Sequence, residues 1–253
     1  MTRLLPPLLL TALLLAGWEI ACRALDVPVY LLPPPSAVGT ALVQRAPLLL
    51  SSAGATFWMA FQALIVAFGL GGGLALAVSL NRPAEQAIRP LAVALQVTPV
   101  VAIAPMVLIW AGLDHADRAV VALAAAVAFF PLFSGALTGL TSADPDLERL
   151  FDLYGARPLD RLLRLRLPSS APFVLEGLSV GAGQAVIGAV VAEFVAGSGQ
   201  SQGLAWRILE AGNRLRTAEM FAALFVLAAL GLIVHALISG VRGLSRKGFE
   251  PPR

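Results

Sequence analysis

Charged side chains are scarce in this chain. Asp, Glu, Lys and Arg together make up 13% of it, about half the share usual in a soluble domain. Lysine occurs once (Lys247), cysteine once (Cys22) and histidine twice (His115 and His235). Each scarcity removes a class of function. A P-loop needs a lysine behind spaced glycines, and Lys247 stands in the C-terminal tail without them, so ATP chemistry is not expected here. Cys22 alone closes no internal disulfide. The histidines fall in different regions, and His235 has no second ligand three or four positions away, so no metal site is expected. No strand–turn–helix nucleophile elbow occurs either. No catalytic residue is assigned and no cofactor is expected in the chain.

What is abundant is apolar. Such residues form 58% of the 253, with a mean hydropathy of +0.83. The few charges are clustered. None occurs from Ala46 to Asn81, Pro90 to Leu113, Ala119 to Ala143 or Met220 to Val241. Each run reaches the ~20 residues that a helix needs to cross the hydrocarbon core. Two weaker runs join them: Leu4 to Ala21, with Glu19 near its end, and Ala171 to Ala196, with Glu176 and Glu193 near its two ends. The runs are continuous rather than alternating, which excludes a β-barrel. The expected fold is an all-α polytopic membrane protein, one transmembrane domain over 1–253. Its six transmembrane helices fall near 4–22, 55–80, 88–112, 118–140, 171–196 and 218–241, with a loop at 141–170. Trp18-Glu19 spoils a signal cleavage site, and Glu19 stands three residues before Cys22, where a lipoprotein signal needs an apolar residue.

Six spans put both termini on one side. If that side is the cytoplasm, 12 of the 18 Lys and Arg residues lie inside. The positive-inside rule supports this orientation, and it makes residues 141–170 cytoplasmic. Within the spans, Gly69 and Gly73, Gly135 and Gly139, and Gly177 and Gly181 repeat at the spacing that lets helices approach closely. Pro99 and Pro105 fall in the third span, where lost hydrogen bonds predict a bend, whether in a pore-lining or a merely structural helix. Gln96, Thr98, Gln184 and Glu193 are polar groups within spans; with the two prolines they are the candidates for a translocation pathway or gate. Glu193 lies near a span boundary, where solvation is the alternative reading.

Residues 143–168 read ADPDLERLFDLYGARPLDRLLRLRLP. Asp144 suits an N-cap, Pro145 a first helical turn and Gly155 a C-terminal stop. Leu147, Leu150, Phe151 and Tyr154 follow at i, i+3, i+4 and i+7, one apolar stripe on a short helix. A second short helix is expected from Pro158, with Leu159, Leu162 and Leu163 on one face, ending at Pro168. An apolar stripe in a loop needs cover. The first helix also carries Asp144, Asp146, Glu148 and Asp152, which anionic lipid repels, so a protein groove is the expected cover. Arg161, Arg164 and Arg166 suit the second helix to lipid phosphates. Beyond span five, Leu204, Ile208, Leu209 and Leu215 are expected at a membrane surface, and Arg207, Arg214 and Arg216 suit an acidic partner.

The segment resembles the EAA loop of ABC importer permeases, E-A-A-x3-G-x9-I-x-L-P. Gly155 takes the glycine position, Leu165 the isoleucine, and Leu167-Pro168 the terminal pair; Arg149, Leu150 and Phe151 replace E-A-A, and Glu148 stands one place early. Trp18-Glu19, Leu32-Pro33-Pro34-Pro35-Ser36, Thr98-Pro99, Ala104-Pro105, Ile109 to Leu113, Ala192-Glu193 and Gly203-Leu204 are similar to the subgroup serving aliphatic sulfonates, taurine and nitrate. The resemblance implies a bacterial inner-membrane permease of the type I importer fold. It implies a homodimer of permeases, two ATP-binding cassette subunits carrying ATP and Mg, and a periplasmic substrate-binding protein. Leu147, Leu150, Phe151, Tyr154, Gly155, Ala156 and Arg157 become the ATPase-docking coupling helix. Membrane lipid is the other contact, and no nucleic acid is expected. Related permeases for pyrimidine or vitamin precursors leave the cargo open. A secondary transporter predicts an internal repeat and a mid-membrane carboxylate, and an integral-membrane enzyme predicts a cluster of ionisable groups; neither pattern is found. The purified chain is expected to release no phosphate from ATP until an ATP-binding subunit is present, as a phosphate-release assay checks.

Overall fold

The computed structural model of the chain describes residues 5–112, 115–196 and 202–249. Arg3, Leu113, the glycine-rich loop start from Gly197, and Arg253 lie outside the described residues, as do the side chains of Arg242, Arg246 and Lys247. All regular structure described is helical, as a chain without lipid-facing backbone partners requires. The elements are α1 (Leu5–Ala24), α2 (Pro35–Gln44), α3 (Ala46–Ser79), α4 (Arg82–Val97), α5 (Val100–Ala111) and α6 (Ala116–Thr141). After these come α7 (Pro145–Leu153), α8 (Pro158–Arg161), a π turn (Leu162–Arg166), α9 (Leu167–Ala196), α10 (Leu204–Asn213) and α11 (Thr217–Phe249).

Among the described residues, five helices are long and apolar enough to cross a membrane: α1, α3, α6, the continuous rod Pro158–Ala196, and α11 over Thr217–Gly240. The pair α4–α5 is a sixth if taken as one broken span. Its halves meet at 93°, so a sharp break replaces the bend expected in the third span. The cause is local. Pro99 cannot donate a backbone hydrogen bond and crowds the residue before it. Thr98 and Pro99 accordingly both leave the helical region, with ψ of 124° and 101°. Thr98 closes α4 by turning its N–H (3.1 Å) and its hydroxyl (2.8 Å) onto the Ala94 carbonyl. Pro105, inside α5, leaves that helix unbroken.

Pro168 was expected to end a short helix, and it does not. The rod runs through it, from Pro158 to Ala196. A proline ring collides with the carbonyl four residues earlier; the wider π turn just before Pro168 opens that space. The turn also shifts the faces: Leu162 and Leu165 are buried, while Leu159 and Leu163 are exposed, unlike the expected Leu159–Leu162–Leu163 face.

The centre of the bundle is α6 against α9, with α3 alongside. Its core is largely alanine. Ala63, Ala67, Ala124, Ala128, Ala185 and Ala189 are all buried, so the axes lie close and dispersion between backbones replaces large side chains. Along this seam a Cβ on Gly135 would meet the Phe173 carbonyl at 2.8 Å and the Gly177 Cα at 3.0 Å. A Cβ on Gly139 would meet the Ser170 Cβ at 2.7 Å. Gly181 has the Leu132 side chain against it. The third spaced pair behaves otherwise: a Cβ on Gly69 or Gly73 would meet nothing within 4 Å, and it is Gly71 that faces α6, where a Cβ would stand 3.1 Å from the Phe133 nitrogen. Gly135→Ala is therefore expected to destabilise by about 1–3 kcal/mol, while Gly69→Ala is neutral or gains up to ~1 kcal/mol of helix propensity. Thermal unfolding of the two variants in detergent checks the contrast.

Candidate functional site

At one end of the bundle stands the loop helix α7. Asp144 caps it, its Oδ1 accepting from the Asp146 N–H at 2.8 Å. At the other terminus the Ala156 N–H donates to the Phe151 carbonyl and the Gly155 N–H to the Asp152 carbonyl, both at 3.0 Å. This paired closure needs a left-handed residue between, and Gly155 supplies it with φ +63°. Arg157 is extended and Pro158 then opens the rod.

The helix is held by part of its charged side, with Glu148 turned in. Glu148 accepts from Arg166 at 2.7 Å and pairs with Arg161 at 3.3 Å, and Asp152 also pairs with Arg161. These arginines tie α7 to the foot of the rod and do not lie free for lipid, as the sequence led us to expect; Arg164 pairs with Asp160 at 3.7 Å. The apolar stripe is left out. No residue of α7 is buried; Leu147 and Leu150 remain 44% and 43% exposed and Tyr154 83%. Leu150, Phe151, Tyr154 and Ala156 line one groove with Asp160 and Arg164. Gly155 and Arg157 form the turn beside it. The inward role of Glu148 and Asp152 was missed, because acidic residues on a loop helix read as solvated. Their i,i+4 spacing together with Arg161 and Arg166 further on was the available signal.

Toward the Glu193 end of the rod, Gln184 of α9 and Gln96 from the end of α4 line one cleft, walled by Leu95, Val100, Pro131 and Val180. Two carboxamides thus share an otherwise apolar surface with no charged lining residue. Thr98 and Pro99 adjoin it at the α4–α5 break. Pro105 and Glu193 do not line it.

Glu193 is at the far end of the rod and is not solvated. It is 1% exposed. The Thr56 hydroxyl donates to its Oε1 at 2.8 Å, and the Ala205 N–H donates to its Oε2 at 3.0 Å. The Leu204 N–H donates to the Thr56 oxygen at 2.9 Å. A carboxylate from α9 thereby satisfies the free N-terminal donors of α10. Gly203 lies directly on that carboxylate; a Cβ there would overlap it. The apolar face of α10 goes into the protein and not onto a membrane surface: Leu204 and Ile208 are buried with Val38, Leu49, Ala222 and Ala223, while Leu215 alone of the expected anchors is largely exposed. Glu19 of α1 serves α2 in the same way, accepting from the Ser36 N–H (2.9 Å) and hydroxyl (2.8 Å) and from Arg23 (2.7 Å). Around these helices Arg45, Arg207, Arg214 and Arg216 surround Glu210 and Glu219 in a charged cleft.

A membrane-crossing bundle with a greased helix displayed at one end and no nucleotide loop of its own is the form of a transport subunit driven from outside. Comparison with known proteins agrees. The sequence pattern described as "Binding-protein-dependent transport system inner membrane component" matches residues 69–247, and the chain belongs to that family: it is a multi-pass inner-membrane permease subunit of an ABC importer, not itself catalytic. A probable ABC transporter permease protein of Haemophilus influenzae is 33% identical over 92% of this chain and 93% of its own. A formylaminopyrimidine transport permease protein of Halalkalibacterium halodurans is 32% identical over 95% of this chain and 94% of its own. Among solved structures, an amino acid ABC transporter with histidines shares the fold at a TM-score of 0.67 and 15% identity, covering 83% of this chain and 98% of the other. Gly155→Ala is expected to cost about 1–2 kcal/mol of local stability, because the left-handed closure of α7 crowds any Cβ. Hydrogen exchange at the Ala156 amide reads the loss.

Proposed function

We propose that two copies of this chain form the translocation pathway and that α7 of each copy is gripped by an ATP-binding cassette subunit carrying ATP and Mg. The observation that supports this is the way α7 is held. Glu148 and Asp152 are paired with Arg161 and Arg166, while Leu147, Leu150 and Tyr154 of its apolar stripe stay exposed. Exposed apolar stripes of this size fit a protein groove. The basic excess on the α7 side supports its placement in the cytoplasm with both termini. A partner that closes on ATP then moves the rod as a rigid body. The Gln96–Gln184 cleft, open on one side, is the proposed pathway wall, which a second copy completes.

At the opposite end, the four-arginine cleft is the proposed contact for an acidic rim on the periplasmic substrate-binding protein. The stretches shared with sulfonate, taurine and nitrate permeases support an organic sulfonate, taurine or nitrate as cargo. A second reading, a pyrimidine precursor, is favoured by two observations. The formylaminopyrimidine relative matches over nearly the whole chain, and the cleft offers carboxamides, which pair with heteroaromatic amide edges, and no cation to hold an anion.

Leu150→Asp and Phe151→Asp are each expected to abolish copurification with the ATP-binding subunit, because both place a charge in a desolvated groove. A normal complex with both variants sinks the docking model. A thermal-shift screen of the cognate binding protein across sulfonates, taurine, nitrate and pyrimidine precursors decides the cargo.

A further inference from the structure

The rod Pro158–Ala196 is a single 39-residue helix. Its foot carries the two arginines that hold α7, and its other end carries Glu193. Nothing about docking at α7 requires that second attachment. Glu193 is buried where α3, α9 and α10 meet, and its two oxygens are used in different directions. Oε1 takes the hydroxyl of Thr56 on α3, and Oε2 takes the Ala205 N–H at the start of α10. Thr56 then accepts the Leu204 N–H, so three elements are closed into one hydrogen-bonded unit. Gly203 gives the carboxylate room. A second bond on the same side joins Arg207 of α10 to Ser52 of α3 at 3.1 Å.

In a buried cluster like this one, a polar group that loses its partner is costly to leave unpaired. The start of α10 is therefore fixed to the top of the rod more firmly than apolar contact alone would fix it, since apolar contact is non-directional. The four-arginine cleft is built on α10, the turn into α11 and the start of α3. Any displacement of the rod is carried to that cleft through Glu193, and any partner pressing on α10 pushes on the rod.

We infer that Glu193, Thr56 and Gly203 are positioning residues which latch α10 to the rod and so connect the binding-protein face of the importer to the ATPase-gripped helix α7. This rests on the importer reading above. The latch touches neither cargo nor nucleotide. It acts by making α10 and α9 move together.

The test uses the assembled transporter in lipid nanodiscs with its own binding protein, following ATP hydrolysis with and without saturating loaded binding protein. Thr56→Val keeps the shape of the side chain and removes the hydroxyl; Thr56→Ser keeps the hydroxyl. Thr56→Val is expected to lower the plateau of binding-protein stimulation ~5-fold or more while the basal rate stays unchanged, and Thr56→Ser to retain stimulation. Gly203→Ala, which displaces the carboxylate, is expected to match Thr56→Val. Full stimulation in both Thr56→Val and Gly203→Ala overturns the inference, as does an equal fall in basal and stimulated rates, the mark of simple instability. If the unmodified transporter shows no binding-protein stimulation at all, the importer reading fails, and the inference with it.

Discussion

In hydrocarbon, a backbone N–H or C=O without a partner costs several kcal/mol, and in this chain the irregular places are where that constraint is met by unusual means. Away from their internal prolines, the helix interiors satisfy themselves. The difficulties arise where helices start or break, and three solutions recur. Thr98 doubles its hold on the Ala94 carbonyl at the α4–α5 break. Glu19 supplies acceptors for the start of α2, and Glu193 does so for the start of α10. Two short helices at one end of the bundle thus depend on carboxylates lent by longer neighbours. Thr98, Glu19 and Glu193 thus sit where backbone would otherwise go unpaired.

The same economy governs the apolar contacts. A bundle in lipid gains little from burying large side chains, since the surroundings are equally apolar. Close backbone approach does the holding, and Gly135, Gly139 and Gly177 permit it between α6 and α9. The rod is consequently clamped along its middle by α6 and free to present both ends. One end receives α7 through Glu148, Arg161 and Arg166; the other receives α10 through Glu193. A lever needs a stiff beam, a bearing and two attachments, and each of these corresponds to a named set of residues.

Much of this was legible in the sequence. Unbroken apolar runs announced the membrane helices, and Asp144, Gly155 and the Leu147–Tyr154 stripe announced α7 with its cap and stop. The EAA-like spacing pointed to the family to which the chain belongs. What was not legible was long-range partnership. Trp18-Glu19 and Leu32–Ser36 stood as separate stretches, as did Ala192-Glu193 and Gly203-Leu204; in space each pair is one hydrogen-bonded unit. A carboxylate near a span end reads as solvated when its acceptor role lies across a turn on backbone N–H groups, which leave no trace in residue identity. Pro168 misled for a related reason: its effect on a helix depends on whether a wider turn precedes it, and composition does not encode that. Gly69 and Gly73 had the right spacing but lie on the open side of α3, and spacing cannot tell which side that is.

The π turn at Leu162–Arg166 has a geometrical corollary. One residue more than an α-helix requires is wound into the rod there, which offsets everything below it by ~100° about the axis. The azimuth at which α7 is presented is thus set independently of the glycine seam that fixes α9 against α6. The register of the grip against the seated upper rod thus depends on that one extra residue, like a handle keyed on its shaft.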